Sequence, residues 1–279
     1  MSTRMAQRAI GDIMAVCLGA RPLSAMRWLG SFTAHLPECW RSRSLIPADR
    51  SCLRVGARFQ TSTGAIVSLP GEYTAGAREM YSRDVYLRNG VRIPETGWVV
   101  DLGANRGLFC VWAALTGAQV VAVEAQQGFA AGIRHLAECN RVADRVQVEI
   151  ALASGVVLSG ARVGIVADDH RWATTSHGAA TRPSDVSVAQ LMLEHEIDRI
   201  DLLKIDIEGG EFAVFRVDED LRWLDRVDQL ALEVHRDFSD AASLIDRLRA
   251  CGFTVDLRDN DGRRVTADSD RLDYAYCQR

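Results

Sequence analysis

The sequence predicts an α/β fold: a sheet of seven strands, parallel except for an antiparallel last strand, with helices on both faces and an N-terminal helical and hairpin segment. Three observations carry this expectation. From Trp98 onward, apolar runs of strand length alternate regularly with stretches at helical spacing. The first run leads into Asp101-Leu102-Gly103-Ala104-Asn105-Arg106-Gly107, where two glycines four apart let the chain turn into an apolar helix. The last two runs are joined directly by a polar turn, Asp259 to Gly262, which fits an antiparallel pair.

The elements follow in order. Met5, Ala9, Ile10, Ile13, Met14, Cys17 and Leu18 form one apolar stripe at helical spacing, ended by Arg21-Pro22. Met26, Leu29, Phe32 and Leu36 mark the buried side of a second helical stretch, closed by Pro37. The two read as a cap packed on the domain or on a second subunit, so a homodimer is the candidate assembly. Leu53, Val55, Ala57 and Phe59 alternate, Thr61 to Gly64 turns, and Ile66 to Leu69 returns, which reads as a hairpin. Arg78 to Leu87, with Tyr81 and Tyr86, reads as a helix into the core, and the domain boundary falls near Tyr81. The division is therefore 1–80 for the N-terminal segment and 81–279 for the main domain. Within the latter, strands are expected at 98–102, 119–124, 146–152, 202–207, 229–235, 253–258 and 273–278. Helices are expected near 106–116, 128–139, 188–196, 210–224 and 239–251. Val156 to Val166 reads as an extra hairpin, and Ala167 to Pro183 as a long polar loop.

The totals narrow the function. The chain has 279 residues, 48% hydrophobic and 25% charged, which is a globular composition. A net charge of −4 argues against a nucleic-acid backbone as the main partner. Seven scattered cysteines without C-x-x-C spacing read as reduced thiols, and no His or Cys cluster supports a structural zinc, so no metal is expected. The apolar run Ala9 to Ala20 is interrupted by Asp12 and is too short to span a bilayer, so no membrane partner is expected. Among the 33 basic residues Lys204 is the single lysine.

Strand, glycine turn and helix N-terminus make a nucleotide-type site. A dinucleotide fingerprint would need glycines at 101, 103 and 106, and the chain has Asp101 and Arg106 at two of these. An acid there repels a pyrophosphate and suits an ammonium group, such as that of the amino-acid end of S-adenosylmethionine. Gly103, Ala104, Asn105 and Gly107 form the turn whose N–H groups would face its carboxylate. Glu124, about 20 residues past the turn at the end of the next strand, is placed to hold ribose hydroxyls. A nicotinamide oxidoreductase is disfavoured by the same Asp101. Asn140, after the second helix, is a further cofactor candidate, although Asn is also a common helix C-cap.

On the fourth strand Lys204, Asp206 and Glu208 share one parity, as do Glu233 and His235 on the fifth. Buried charges need partners, so the row is an ion-pair network, a site, or both. Lys204 reads as structural, paired with Asp101 or Glu233. Asp206, Glu208 and His235, at the strand tips, read as catalytic, with His235 as general base and Asp206 in support. The loop stretch Asp168 to Trp172, with His170, is a weaker candidate for gripping substrate.

DLGANRG, then VVAVEA, LLKIDIEGGEF and LALEVH, resembles the FkbM-type S-adenosylmethionine-dependent methyltransferases over roughly residues 79–279. The resemblance implies a class I methyltransferase, Rossmann-like sheet with its antiparallel last strand. It places the adenine edge near Ala151 and Leu152. It implies an O-methyltransferase acting on a hydroxyl of a small molecule, a natural product or sugar, in the cytoplasm where the cofactor is made. The rivals are an N-methyltransferase on the same fold and a non-catalytic protein that binds the cofactor.

Overall fold

The structure is a computed structural model and describes residues 10, 13–14, 16–17, 19–42, 44–52, 56–71, 76–153, 184–216 and 220–279. The expected hairpin at 156–166, the loop 167–183 and His170 lie outside the described residues.

A seven-stranded sheet runs through the molecule. Its strands are β3 (Trp98–Leu102), β4 (Gln119–Val123), β5 (Val146–Glu149), β8 (Leu202–Ile205), β9 (Gln229–Glu233), β10 (Thr254–Arg258) and β11 (Tyr274–Gln278). Their order across the sheet is β10-β11-β9-β8-β3-β4-β5. β11 pairs antiparallel with both β9 and β10, and the remaining pairs are parallel. From β3 the chain moves outward to β4 and β5, then returns to β8 on the other side and continues to β9. The reversal lies between β3 and β8, so the crevice beyond their carboxyl ends is where a ligand belongs.

Side-chain parity builds two cores. Val99, Val120 and Ala122 face the helices Leu108–Thr116 and Gln127–Cys139. Val100, Val121, Leu203, Ile205 and Leu230 face the helices Val188–Glu194 and Ala241–Ala250. The helix Leu108–Thr116 is buried almost all round because it has the sheet on one side and the N-terminal segment on the other.

That segment contains the helices Pro22–Ala34, Leu36–Ser42 and Ile46–Cys52 and a hairpin of β1 (Ala57–Gln60) and β2 (Ile66–Leu69). Within it the Trp28 indole donates to Asp49 Oδ1 at 2.8 Å, and the Trp112 indole donates to Thr63 Oγ1 at 2.9 Å, joining the segment to the helix Leu108–Thr116. The expected helix at 78–87 is a short π-helical turn, Arg78–Ser82. Its Tyr81 packs edge-on to Trp112 and donates to the Leu108 carbonyl at 2.9 Å.

Two expected elements are broken. The strand 146–152 stops at Glu149, and β6 (Ala151–Ala153) pairs instead with β7 (Ser184–Val186) in a separate parallel pair. The helix 210–224 is a single turn, Glu211–Val214, followed by a 3₁₀ stretch, Leu221–Arg226. The Asp220 side chain accepts from the Arg222 N–H and so caps the 3₁₀ stretch as a new start. The Glu211 carboxylate turns inward and is wholly buried, rather than lying on a helix surface.

Candidate active site

The turn after β3 is set by contact with the loop after β8. Gly103 has φ +81°, and a Cβ there would lie 1.7 Å from the Asp206 carbonyl oxygen, so any side chain would push the two loops apart. Asp206 N–H closes the approach by donating to the Leu102 carbonyl at 3.0 Å. The N–H groups of Gly103, Ala104, Asn105 and Gly107, expected from the sequence to face a ligand carboxylate, bond within the chain in this structure. Gly103 and Ala104 both donate to the Val123 carbonyl at 3.0 Å, Gly107 donates to Ala104, and Asn105 donates to Glu124 Oε2 at 2.8 Å. Buried N–H groups must be satisfied, and here the neighbouring strand end satisfies them.

Beneath the turn lies the structural pair. Asp101 is fully buried, and its Oδ1 lies 3.0 Å from Lys204 Nζ while the Cys110 thiol donates to Oδ2 at 3.3 Å. Lys204 also donates to the Gly103 carbonyl at 3.0 Å. Burial opposes the charge on Lys204, but Asp101 and then Asp206 outweigh it and hold the lysine protonated well above its usual range. Of its two expected partners, Lys204 takes Asp101. Asp101 thus reaches the crevice through Lys204 and the Gly103 carbonyl, with no exposed surface of its own.

Glu124 follows β4 at the rim. Its two oxygens accept from the Asn105 and Gln126 N–H groups at 2.8 and 2.9 Å. Burial raises its carboxyl to about 7, against the pull of those two donors. Each oxygen keeps a free lone pair. The Gln126 side-chain nitrogen, two residues on, is buried without a partner among the described residues. Spare acceptors at Glu124 and an orphaned donor at Gln126, both just past the end of β4, suit the hydroxyls and ring oxygen of a ribose. Ala151 and Leu152 follow β5 alongside, where the Glu124 N–H donates to the Glu149 carbonyl at 2.9 Å. Asn140 is not in this group. It caps the far end of the 13-residue helix Gln127–Cys139, about 20 Å of helix away. Its amide accepts from Ser68 N–H at 2.8 Å and donates to the Ser68 and Leu136 carbonyls at 2.9 Å, which clamps β2 to the helix.

The three expected catalytic side chains do converge, just beyond β8 and β9. His235 Nε2 lies 3.8 Å from Asp206 Oδ1 and 3.5 Å from Glu208 Oε2. Its Nδ1 lies 3.1 Å from Glu211 Oε1, which also accepts the His235 backbone N–H at 2.7 Å. Glu211 is further held by the Gly209 N–H at 2.9 Å. Burial alone would lower the His235 pKa, but the hydrogen bond and charge of Glu211, followed by Asp206 and Glu233, raise it to about 9. His235 is therefore an imidazolium near neutrality. The sequence put a base at this position, and the surrounding carboxylates keep it protonated. Ligand atoms of Asp206, Glu208 and His235 lie within 4.8 Å of one another, a spacing that a divalent ion also accepts. Such an ion would have to displace the imidazole proton, so its binding would weaken as pH falls.

Two contacts of the site were not foreseen in the sequence, that of Tyr86 and that of Glu211. Tyr86 hydroxyl contacts both Asp206 and Glu233, and Glu211 orients His235. The EGGE stretch holding Glu211 was visible but read as the start of a helix. Glu233 was read in the charged row as a possible partner of Lys204 and Tyr86 as part of a helix into the core, and nothing in the sequence showed that the two meet.

A sheet in this order, with β11 reversed between β9 and β10 and an acid at the end of the second strand, defines a class I S-adenosylmethionine-dependent methyltransferase. The chain belongs to the FkbM methyltransferase family, whose domain, described as "Methyltransferase FkbM domain", matches residues 101–255. It is 31% identical over 210 residues to the 31-O-demethyl-FK506 methyltransferase FkbM of Streptomyces tacrolimicus, covering 64% of this chain and 80% of that one. It is 32% identical over 233 residues to the AMB antimetabolite synthetase AmbE of Pseudomonas aeruginosa, covering 65% of this chain and 10% of that one. Among solved structures, the M. capricolum TrmK complex with S-adenosyl-homocysteine overlaps at TM-score 0.40 and 8% identity, covering 67% of this chain and 63% of that one. The METTL16 MTase domain overlaps at TM-score 0.43 and 14% identity, covering 70% and 63%. The chain is thus an S-adenosylmethionine-dependent methyltransferase. Among the described residues no helix is long and apolar enough to cross a membrane.

Proposed function

We propose that the methyl acceptor is a hydroxyl of a small molecule, a natural product or sugar, and that the enzyme works in the cytoplasm without nucleic acid or membrane as partner. The observation that carries this reading is the cluster of Asp206, Glu208 and His235 beside the Gly103 turn, where an acceptor and the cofactor would meet. The curated relative from Streptomyces is named for O-methylation of FK506, and the Pseudomonas relative is an antimetabolite synthetase, which supports a natural-product acceptor. Glu124 and Gln126, with the turn Gly103 to Gly107 and the edge at Ala151 and Leu152, would hold S-adenosylmethionine. When bound, the cofactor supplies a methyl group activated by a sulfonium.

The chain's own residues hold the acceptor and manage its proton. A neutral aliphatic hydroxyl is a poor nucleophile, and a positioned proton acceptor contributes roughly 10²–10⁴-fold. Asp206 takes that role in this reading, since His235 already carries a proton near neutrality. His235, fixed by Glu211, orients Asp206 and Glu208 and offsets their charge. Holding the hydroxyl in line with the methyl group supplies much of the remaining rate.

The test follows S-adenosylhomocysteine release and product mass across a panel of hydroxyl- and amine-bearing acceptors. Methylated hydroxyl products are expected, with Asp206→Asn lowering turnover by about 10²-fold or more and leaving S-adenosylhomocysteine affinity unchanged. Methylation confined to amines would replace this reading with N-methylation. Normal turnover in Asp206→Asn with loss in His235→Ala would return the base to His235.

A further inference from the structure

The helices Pro22–Ala34 and Leu36–Ser42 carry apolar side chains on two faces. One face is taken by the domain: Ala25, Trp28 and Cys39 are buried, and Leu29 and Phe32 pack against the same core. The other face is open. Leu23 is 60% exposed, Met26 69%, Leu36 48% and Trp40 65%, although the sequence placed Met26 and Leu36 on the buried side. Seven of the nine large apolar side chains exposed among the described residues lie before residue 50. Scattered apolar residues are ordinary on a surface, whereas a contiguous set marks a contact. A helix apolar on both sides is stable when both sides are covered.

The open face is ordered. Leu23, Met26, Gly30, Thr33, Pro37 and Trp40 are all exposed and follow one another in steps of three and four, the spacing of a seam between two helices. Helical bonding carries the line across the break: the His35 N–H reaches the Ser31 carbonyl at 3.0 Å, and the Cys39 N–H reaches the His35 carbonyl at 2.9 Å. Gly30 stands at the middle. Its backbone is helical, and a Cβ there would meet nothing within 4 Å, so neither a turn nor the packing of this chain calls for glycine. Glycine weakens a helix interior and suits a place where another backbone comes close.

We propose that this face is the interface of a two-fold homodimer, in which the stripe packs antiparallel on the same stripe of a second copy and crosses it at Gly30 and Thr33. A two-fold contact uses one patch twice, so the patch must complement itself when reversed. Reversed about a point between Gly30 and Thr33, Leu23 falls opposite the partner's Trp40 and Met26 opposite the partner's Pro37. Gly30 falls opposite the partner's Thr33, both small, where the helices come closest. The charges reverse as well. Arg27 flanks one end of the stripe and Glu38 the other, both exposed. The reversal brings Arg27 to within about two residues, or about 3 Å along the axis, of the partner's Glu38, and this pair forms twice. Aromatic residues, methionine and arginine are the types enriched at such interfaces. An anionic membrane would instead favour bases alone beside the apolar stripe, and Glu38 opposes it.

The test is sedimentation equilibrium of the full chain over a concentration series at low ionic strength, where exposed ion pairs are least screened. Melting temperature and S-adenosylhomocysteine calorimetry control for folding. The wild type should approach twice the mass of one chain. Gly30→Gln should fold at least as well, because it puts a better helix former into open space. It should still raise the dimer dissociation constant by about tenfold or more, because its side chain wedges the helices apart. Arg27→Glu and Glu38→Arg should each weaken the dimer by about three- to tenfold, since each sets like charges together twice. The double variant should recover the wild-type constant, with the signs exchanged. A wild type that stays monomeric at every concentration overturns the proposal, and its capture by vesicles of anionic phospholipid would make the face a membrane contact instead. A dimer that Gly30→Gln leaves intact also overturns it, because the contact then lies elsewhere. Single charge variants that dimerise as tightly as the wild type, or a double variant that does not recover, overturn the reversed pairing. S-adenosylhomocysteine affinity should be the same in every variant, because Glu124 and the Gly103 turn lie in the other part of the chain. A wild type that dimerises without binding it counts against the cofactor site and leaves the dimer standing.

Discussion

Glu124 ties cofactor affinity to pH. Its carboxyl titrates at about 7, and ribose hydroxyls would donate to the ionised form, so binding below pH 7 must first expel a proton. S-adenosylhomocysteine affinity should therefore fall about tenfold from pH 8 to pH 6, and Glu124→Gln should flatten that dependence. Glu124→Ala should weaken binding by about ten- to a hundredfold, since hydrogen bonds to a charged group contribute about 1.5–3 kcal/mol each. Calorimetry at the two pH values checks both statements. His235 links stability to pH in another way. Its pKa is raised from 6.5 to about 9, so the fold favours the protonated form. The resulting stabilisation is complete below about pH 6.5 and is lost as pH rises through about 9. Urea denaturation of His235→Ala should show a deficit of about 2 kcal/mol at pH 6, allowing for solvent screening, and much less at pH 10. An equal deficit at both would mean that His235 contributes packing and no charge.

At the scale of elements, the hairpin and the helix after β4 depend on one amide. Asn140 makes three hydrogen bonds, two of them to Ser68, in the manner of an added strand residue. Asn140→Ala leaves the Ser68 N–H and carbonyl without this partner, and unfolding should become easier by about 1–3 kcal/mol. S-adenosylhomocysteine affinity should stay within about twofold, because the helix separates Asn140 from Glu124 by about 20 Å. A hundredfold loss of affinity at unchanged stability would restore the cofactor role. The sequence could show that Asn140 ends a helix, but not what lies beside that end. The strands of the main sheet were legible because buried parallel strands are nearly continuous apolar runs. The stretch 210–224 was misread because its apolar spacing is helical while Glu211 and Asp220 redirect the backbone.

At the scale of the molecule, the N-terminal segment and one face of the sheet share a continuous apolar core. Val16, Trp28, Phe59, Tyr81, Trp112 and Val120 belong to it together. Leu23, Met26 and Trp40 remain exposed on the segment's outer helices. Deleting residues 1–20 removes buried Val16 and Ala20, and the melting temperature should fall. Acceptor turnover or oligomeric state, read by sedimentation, should change as well, while cofactor affinity stays nearly intact because Glu124 and the Gly103 turn lie in the other part of the chain. Equal loss of binding and turnover would make the segment no more than part of the fold.

The sequence by itself determined the sheet, the glycine turn, the acid at its second strand and the charged row on β8 and β9. Each is local: apolar periodicity, a backbone conformation that favours glycine, or an acid at a strand end. It also singled out Lys204 as structural, because a buried cation requires a buried acid. Only the tertiary structure decided which acid that is, that the Gly103, Ala104 and Asn105 N–H groups are taken by Val123 and Glu124, and that Asn140 faces a hairpin. It alone brought Tyr86 between Asp206 and Glu233, and it alone surrounded His235 with enough negative charge to keep its proton. Protonation states depend on distances of 3–4 Å between residues far apart in the chain, and those distances exist only once the strands are laid side by side.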